Sequence, residues 1–284
     1  MAEQFDYIII GSGSAGSALA YRLGESGKHS ILVLEYGGSD AGPLIQMPAA
    51  LSYPMNMKRY DWGYLADAET SLNGRRLVCP RGKVLGGSSS INGMIYVRGN
   101  AGDYDHWQEA GARGWGYCDV LPYFRRMENA HGGAAGWRGT DGPLHVTRGP
   151  RDNPLHDAFV TAATEAGYTA VDDYNGYRQE GFGAADMTVW RGRRWSSANA
   201  YLRPALRRGN VKLVTGALVE KILIDKKTAT GVVYRKGGKQ HEVTARAETV
   251  LAAGAINSPQ IMQRSGVGPG AVLQNAGVDV VLDR

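Results

Sequence analysis

A glycine-rich turn lies between a short apolar strand and a helix near the start of the chain. Apolar residues 7–10 precede the turn, residues 11–16 read GSGSAG, and helical spacing of apolar residues continues to Leu23. A second apolar run, residues 31–34, ends at Glu35. Strand, turn, helix and strand within about 30 residues form the βαβ unit that holds a dinucleotide. The pattern therefore predicts an α/β fold of the Rossmann type.

Each of the three glycines in that turn has a physical reason. Gly11 permits a tight turn after the strand, Gly13 removes a side chain where a pyrophosphate approaches the backbone, and Gly16 lets the helix pack closely on the sheet. The helix N-terminus offers free N–H groups and a partial positive charge to phosphates. Glu35 follows about 20 residues later, where a carboxylate accepts hydrogen bonds from ribose hydroxyls. The same acid disfavours a 2′-phosphate, so NADP is not expected.

Composition and charge narrow the class of ligand. Glycine is the outlier, at 40 of 284 residues, roughly twice the usual share, which suits a backbone that approaches a ligand closely. A net charge of +5 fits an anionic cofactor or substrate, and it is too small to predict a nucleic-acid partner. The densest basic run is predicted to be a solvated face: Arg191, Arg193, Arg194, Arg203, Arg207 and Arg208.

The cysteines and the N-terminus predict a cytoplasmic location. Cys79 and Cys118 are the only cysteines and form no CxxC motif, so we expect no structural zinc site. Two unpaired thiols fit a reducing compartment. The first residues lack a basic segment and lead directly into a strand, unlike a signal peptide. No apolar run reaches transmembrane length.

A second glycine-rich segment, residues 80–99, reads PRGKVLGGSSSINGMIYVRG. Gly86 and Gly87 followed by three serines form a stretch whose N–H groups and hydroxyls can line a polar ligand, and Asn92 adds an amide that both donates and accepts. The alternative is a glycine-serine loop opening a helix, with Ser89 or Ser90 as its cap. The residues alone leave both interpretations open.

With its flanking residues, this segment resembles the first signature of the glucose-methanol-choline (GMC) oxidoreductases, FAD enzymes that oxidise alcohols. Residues 254–269, GAINSPQIMQRSGVGP, resemble the second signature. Outside the two signatures, the chain also resembles the family in three shorter segments: residues 35–38, 103–107 and 193–205. The resemblance covers essentially the whole chain in order, and it is nearest to choline-dehydrogenase-like members.

The resemblance implies a role for each matched position. Residues 11–16 would hold the pyrophosphate, Glu35 the adenosine ribose, and the backbone of Val219 the adenine. Val84 and residues 86–88 would line the flavin, and residues 92–95 would run beside its isoalloxazine ring. The implied cofactor-binding set is Gly11, Ser12, Gly13, Ser14, Ala15, Gly16, Glu35, Tyr36, Arg81, Val84, Gly86, Gly87, Ser88, Asn92, Gly93, Met94, Ile95 and Val219.

Two departures from the family pattern bear on the cofactor. Relatives with covalent flavin carry histidine where this chain has Ile91, so we expect non-covalent, dissociable FAD. Family members often have alanine where this chain has Tyr36. That tyrosine either stacks near the adenosine or faces solvent.

The remaining elements predict a domain inserted into the nucleotide-binding domain. Residues 1–100 are expected to form the FAD-binding βαβ domain and its flavin loop, residues 101–210 the start of an α+β substrate domain, and residues 211–284 a return to the first domain. Residues 41–76 are predicted to be an extended loop that crosses the cofactor or makes a subunit contact.

Element patterns within these domains are as follows. Helices are expected at 119–127 and at 154–166 with Asn153 as cap. One alternating strand is expected at 211–224, a hairpin at 230–244, and a strand at 250–254 before a helix at 258–263.

The expected catalytic residues are missing from this chain. The family uses a histidine with a partner histidine or asparagine beside the flavin, in its C-terminal half, and none of the six histidines matches those positions. His106 is predicted to be a packed or solvent-facing helical residue. Sequence motifs of serine hydrolases, zinc proteases and P-loop enzymes are absent. We therefore expect this chain alone to be inactive.

Three functions remain open on this basis. The first is the N-terminal part of an alcohol dehydrogenase or oxidase, with an alcohol substrate, an electron acceptor such as oxygen or a quinone, and a second chain carrying the missing half. The second is a flavin-binding fragment or subunit with no catalysis of its own. The third is an NAD-dependent dehydrogenase on the same βαβ unit, which leaves residues 86–92 unexplained.

Overall fold

The computed structural model describes residues 3–150 and 152–284 and divides into two compact units. The first comprises residues 1–92 and 196–284, and the second comprises residues 93–195. The second unit is thus inserted, in sequence, into the first. Our sequence-based boundaries, at 100 and 210, stay predictions.

The first unit is built on a six-stranded mixed sheet. Its strands are β1 (Glu3–Ile10), β2 (Ile31–Glu35), β3 (Val211–Thr215), β4 (Leu218–Asp225), β5 (Thr228–Lys236) and β6 (Lys239–Leu251), in the spatial order β3-β2-β1-β6-β5-β4. Four neighbouring strands, β3, β2, β1 and β6, are parallel to one another. Strand β5 runs antiparallel to both β6 and β4. The predicted βαβ unit is confirmed, with helix α1 (Ser14–Leu23) between β1 and β2.

Both faces of β2 and of the last residues of β1 are buried, as the continuous apolar runs predicted. Alternate residues point to opposite sides. Ile8 and Leu34 pack in one cluster with Val232, whereas Ile9 and Val33 pack in another with α1. Since apolar contacts hold both sides, the ends of β1 and β2 are fixed in place for any ligand beyond them.

Two strand predictions were wrong in their extent. The alternating stretch 211–224 is two strands, because the chain turns at Gly216 (φ +68°) and crosses from one edge of the sheet to the other. The predicted hairpin strand and the predicted strand at 250–254 are one strand, β6. It pairs with β5 along its first half and with β1 along most of its length. Gly254 begins helix α2 (Gly254–Arg264) instead of ending a strand.

Short elements cover the rest of the first unit. They are the helices Pro43–Gln46 and Arg203–Leu206, a π-helix Ala198–Leu202, a helix Gly270–Asn275, the strand pairs Tyr64–Leu65 with Val78–Cys79 and Val267–Gly268 with Leu282–Asp283, and 3-10 turns Pro48–Ala50, Pro54–Asn56, Thr70–Leu72 and Gly87–Ser90. The predicted loop 41–76 therefore contains several single turns.

In its described residues, the second unit contains three helices and a small sheet. The helices are Ala101–Glu109, Tyr117–Met127 and Pro154–Glu165, and the strands are Glu128–His131, Leu144–Arg148 and Asp186–Met187, with a hairpin of Val189–Trp190 and Arg193–Arg194. The two helix predictions are confirmed, and the Asn153 side chain accepts a hydrogen bond from Leu155 N at 3.0 Å.

The prediction of a fully solvated basic run was wrong at Arg194. This side chain is completely buried, and burial lowers its pKa to about 10. The reason is strand alternation: in the hairpin Arg193 points outward, and its neighbour points inward opposite Val189. A pattern of charges in sequence does not reveal which face of a hairpin is covered.

Two histidines of the second unit lie side by side on one indole ring. His131 and His145 are joined by a 2.9 Å ring N–N hydrogen bond, and their centroids lie 4.1 and 4.4 Å from that of Trp190. Burial lowers the pKa of His145 below its ordinary 6.5, and the neighbouring His131 and Arg191 add to the shift.

This lowered pKa predicts an acid-sensitive stability. A group whose folded pKa is below its unfolded value stabilises the fold above the unfolded pKa, and that contribution is lost as pH falls. We expect the urea midpoint to fall between pH 7 and pH 5, and to fall less in His145→Phe, which retains a ring on Trp190. His106→Phe, at an exposed site, is the control. An unchanged slope in His145→Phe would contradict the assignment.

The helices and the acidic, histidine and cysteine side chains bear on membrane and metal binding. Across residues 3–150 and 152–284, every helix is too short or too polar to cross a bilayer. In the same described residues, no three His, Cys, Asp or Glu side chains gather in a way that could hold a metal ion.

Candidate functional site

A pocket of about 540 Å³ opens in the first unit where the parallel strands end. Ile10, Leu34 and Leu251 are the last apolar residues of β1, β2 and β6 at this edge. Ligands of open α/β sheets bind outside the carboxyl ends of the strands. These predicted cofactor-binding residues line it: Gly11, Gly13, Ser14, Ala15, Glu35, Tyr36, Arg81, Gly87, Ser88 and Val219.

Two helix N-termini face this pocket. Gly13 is the N-cap of α1 and Ala253 is the N-cap of α2, and the first residues of both helices line the pocket. In the described structure neither N-terminus has a capping side chain or an acidic residue in its first turn. Their N–H groups and partial positive charges are therefore available to an anion.

Close backbone contacts explain the glycines around the phosphate-binding turn. Gly11 adopts φ +97°, and a Cβ there would lie 2.6 Å from the Ala252 carbonyl oxygen. A Cβ on Gly16 would lie 1.9 Å from the Gly11 carbonyl oxygen, and one on Gly87 would lie 2.8 Å from Gly13 Cα. Gly13 differs, because the nearest atom to a Cβ there is 3.9 Å away. Its missing side chain leaves space on the pocket side.

Glu35 ends β2 as a buried acid at the rim of the pocket. Its Oε2 accepts hydrogen bonds from Ser12 N at 2.9 Å and Ser12 Oγ at 2.8 Å, and its Oε1 accepts one from Gly37 N at 2.7 Å. Burial raises the pKa of Glu35, and these donors oppose that shift. The side chain is thus held in one orientation before any ligand binds.

Three stacked aromatic rings form one wall of the pocket. Tyr36 stacks on Trp62 at 5.2 Å, and Trp62 stacks on Tyr64 at 6.2 Å between centroids. The Tyr64 hydroxyl donates to Asn257 Oδ1 of α2, and burial raises its pKa. Tyr36 is 42% exposed. Its ring is therefore packed on Trp62 and partly open to solvent at the same time.

The other predicted cofactor-binding residues do not line this pocket. Ser12 and Gly16 are buried behind it, and Gly86 donates its N–H to the Ser12 carbonyl oxygen at 3.1 Å. Val84 is fully buried beside Ile45, Tyr60 and Ile91. The remaining positions are Asn92 at the end of the first unit and Gly93, Met94 and Ile95 in the second. Their contacts with a flavin stay predictions.

Residues that the sequence did not single out also line the pocket: Trp62, Tyr64, Ala252, Asn257 and Arg264. Trp62 and Tyr64 belong to the loop predicted to cross the cofactor, and Asn257 and Arg264 belong to the second signature. The sequence therefore indicated the two segments that contain these residues. It could not indicate the individual side chains, because the contacts that bring them together are between distant parts of the chain.

Comparison with known proteins identifies the family. A family model for GMC oxidoreductase matches residues 5–276. The chain belongs to the GMC oxidoreductase family. Its resemblance at both signatures is thereby confirmed, as is the Rossmann-type α/β fold class. The N-terminal domain of this family binds FAD.

Curated relatives are similar to this chain over nearly all of its length. It is 60% identical to an oxygen-dependent choline dehydrogenase from Sinorhizobium medicae over 99% of the chain, and 61% identical to one from Brucella anthropi over 98%. The chain spans about half the length of these relatives, 51% in each case.

Solved structures of other proteins share the fold of this chain and are likewise covered over about half of their length. Pyridoxine 4-oxidase from Mesorbium loti superposes with a TM-score of 0.93 at 34% identity, covering 98% of this chain and 55% of that one. An Aspergillus oryzae formate oxidase variant superposes at 0.91 with 26% identity, covering 99% and 51%.

Proposed function

We propose that the pocket of the first unit binds the ADP half of FAD non-covalently. The observation that carries this proposal is the meeting of two uncapped helix N-termini beside one buried acid. The N-termini supply N–H donors for two phosphates, and Glu35 supplies acceptors for ribose hydroxyls. The backbone near Val219 borders the space left for adenine.

The residues present fit this cofactor. A side chain is absent where the pyrophosphate needs room, because Gly13 lines the pocket and a Cβ on it would have one neighbour within 4 Å, Gly87 Cα at 3.9 Å. A Cβ on Gly254, at the first turn of α2, would meet no atom within 4 Å. FAD, when bound, supplies the hydride acceptor. The chain's own part is to bind, orient and shield that group.

We propose that the whole protein oxidises the CH–OH group of an alcohol, with oxygen or a quinone as electron acceptor. The names of the curated relatives and of pyridoxine 4-oxidase support an alcohol substrate and an oxygen acceptor. Bound FAD would accept the hydride from the substrate carbon, and a base would be needed to remove the hydroxyl proton.

That base is expected from a C-terminal half, in the same protein or in a second chain. Within the described residues, no histidine lines the pocket. We further propose a cytoplasmic location, which the two free thiols support.

A flavin titration tests the proposal. The chain is expected to take up one equivalent of FAD, and acid denaturation is expected to release all of it because no covalent bond forms. A colourless chain that FAD neither quenches nor stabilises would refute FAD binding. Stabilisation by NAD but not FAD would favour the nicotinamide alternative.

The same flavin-loaded chain separates the two remaining functions. If the chain is a binding unit without catalysis, choline and primary alcohols should leave the flavin absorbance unchanged under anaerobic conditions. Bleaching by an alcohol would show that this chain contains its own base and would refute the proposed need for a second half.

A further inference from the structure

Ser12 lies at the centre of the nucleotide site without lining its pocket. The residue is completely buried. Its hydroxyl and its N–H both donate to the same oxygen, Oε2 of Glu35, at 2.8 and 2.9 Å. The Ser12 hydroxyl therefore bonds Glu35 and does not contact a ligand.

The carbonyl oxygen of Ser12 is held equally firmly. It accepts a hydrogen bond from Ser17 Oγ at 2.7 Å and one from Gly86 N at 3.1 Å. Ser17 belongs to α1, and Gly86 belongs to the glycine-serine segment. One buried residue thus connects β2, α1 and that segment, and its backbone is held in place through both its N–H and its carbonyl oxygen.

These contacts determine which carboxylate oxygen of Glu35 can accept a further hydrogen bond. A carboxylate offers about four acceptor positions, two on each oxygen. Ser12 occupies both on Oε2, and Gly37 N occupies one on Oε1 at 2.7 Å. The backbone N–H of Tyr36 also acts on this carboxylate. Because Ser12 fills Oε2, a bound hydroxyl would be directed to Oε1.

We propose that Ser12 is a positioning residue that presents Oε1 of Glu35 to a ribose hydroxyl and thereby sets the preference for nucleotides with free ribose hydroxyls. This inference rests on the proposed FAD site. A carboxylate fixed in this way accepts a hydroxyl and repels a phosphate at the same place.

Binding of two nucleotides to the full chain tests this assignment. The probes are ADP and 2′,3′-dideoxy-ADP, which share both phosphates and the base, measured by calorimetry. Wild type is expected to bind ADP about tenfold more tightly, because a hydrogen bond to a charged acceptor is lost with the dideoxy form. In Ser12→Ala this ratio is expected to fall to about threefold or less, with dideoxy-ADP affinity nearly unchanged.

Two further variants separate positioning from a general loss of structure. Ser14→Ala is the matched control, since Ser14 is exposed at the pocket and has no bond to Glu35. It should change both affinities alike and leave the ratio at its wild-type value. Ser12→Cys retains the side-chain shape with a weak donor, and it should lower the ratio as alanine does even if Ser12→Ala folds poorly.

The outcomes distinguish this inference from the proposed function. If wild type binds FAD and prefers ADP, but Ser12→Ala and Ser12→Cys keep the full preference, Ser12 does not position Glu35. If wild type binds FAD but does not distinguish ADP from its dideoxy form, the ribose contact itself is absent. If wild type binds neither FAD nor ADP, the FAD site fails and this inference fails with it.

Discussion

Gly13→Ala is expected to reduce FAD affinity by about 100-fold or more, or about 2.7 kcal/mol, and to leave the free chain as stable as wild type. Alanine fits the backbone here, because residue 13 has φ −66° and a Cβ would lie 3.9 Å from its nearest neighbour, Gly87 Cα. The new methyl group would, however, fill the space in which the pyrophosphate approaches the helix N-terminus. Flavin fluorescence titration and urea unfolding measure the two effects separately.

Two other glycines provide the contrast for this prediction. Gly16→Ala should unfold the unit, with a loss of about 3 kcal/mol or more, because its Cβ would lie 1.9 Å from the Gly11 carbonyl oxygen. Gly38→Ala should change neither quantity, since a Cβ there meets no atom within 4 Å. Normal FAD affinity in Gly13→Ala would mean that the phosphates bind elsewhere.

Glu128→Ala is expected to destabilise the second unit by about 3–5 kcal/mol, because it leaves two buried guanidinium groups without their main partner. Glu128 is completely buried. Its Oε1 accepts from Arg98 at 2.7 Å, from Arg138 Nε at 2.9 Å and from Gly139 N at 2.9 Å. Removing the carboxylate costs more than these bonds are worth, since the arginines stay charged and desolvated.

Urea unfolding of the whole chain measures this effect. Glu220→Ala is the matched control: it also removes a glutamate bonded to an arginine at 2.9 Å, but Arg235 is half exposed. Exposed pairs contribute about 1 kcal/mol or less. If both variants lost similar stability, the Glu128 cluster would not hold the second unit together.

Arg138 explains why the network tolerates so much buried charge. It also bonds Asp173 at 2.7 Å and Asp186 at 2.8 Å, so its one guanidinium serves three carboxylates. These acids raise its pKa despite burial. The partners come from residues 128 to 186, far apart in the chain.

The nucleotide-binding turn was predictable because its determinants are local. A strand, a glycine turn and a helix within residues 3–23 follow from apolar period and from the space each glycine must leave. Glu35 followed by the same logic, since parallel strands end at one edge. The glycine-serine segment could be assigned only by resemblance, and its backbone contact between Gly87 and Gly13 confirms that it lies at this turn.

Long-range contacts decided what the sequence left open. Sequence alone determined the βαβ unit and the acid at the end of β2, because those signals lie within about 30 residues of chain, and it determined the family because each signature is a continuous segment. Only the tertiary structure revealed that Trp62 and Asn257 meet at one pocket, that β6 serves two neighbours, and that Arg194 is buried. Each of these features depends on which distant segment packs beside it. Neither the local spacing of apolar residues nor the composition specifies that segment.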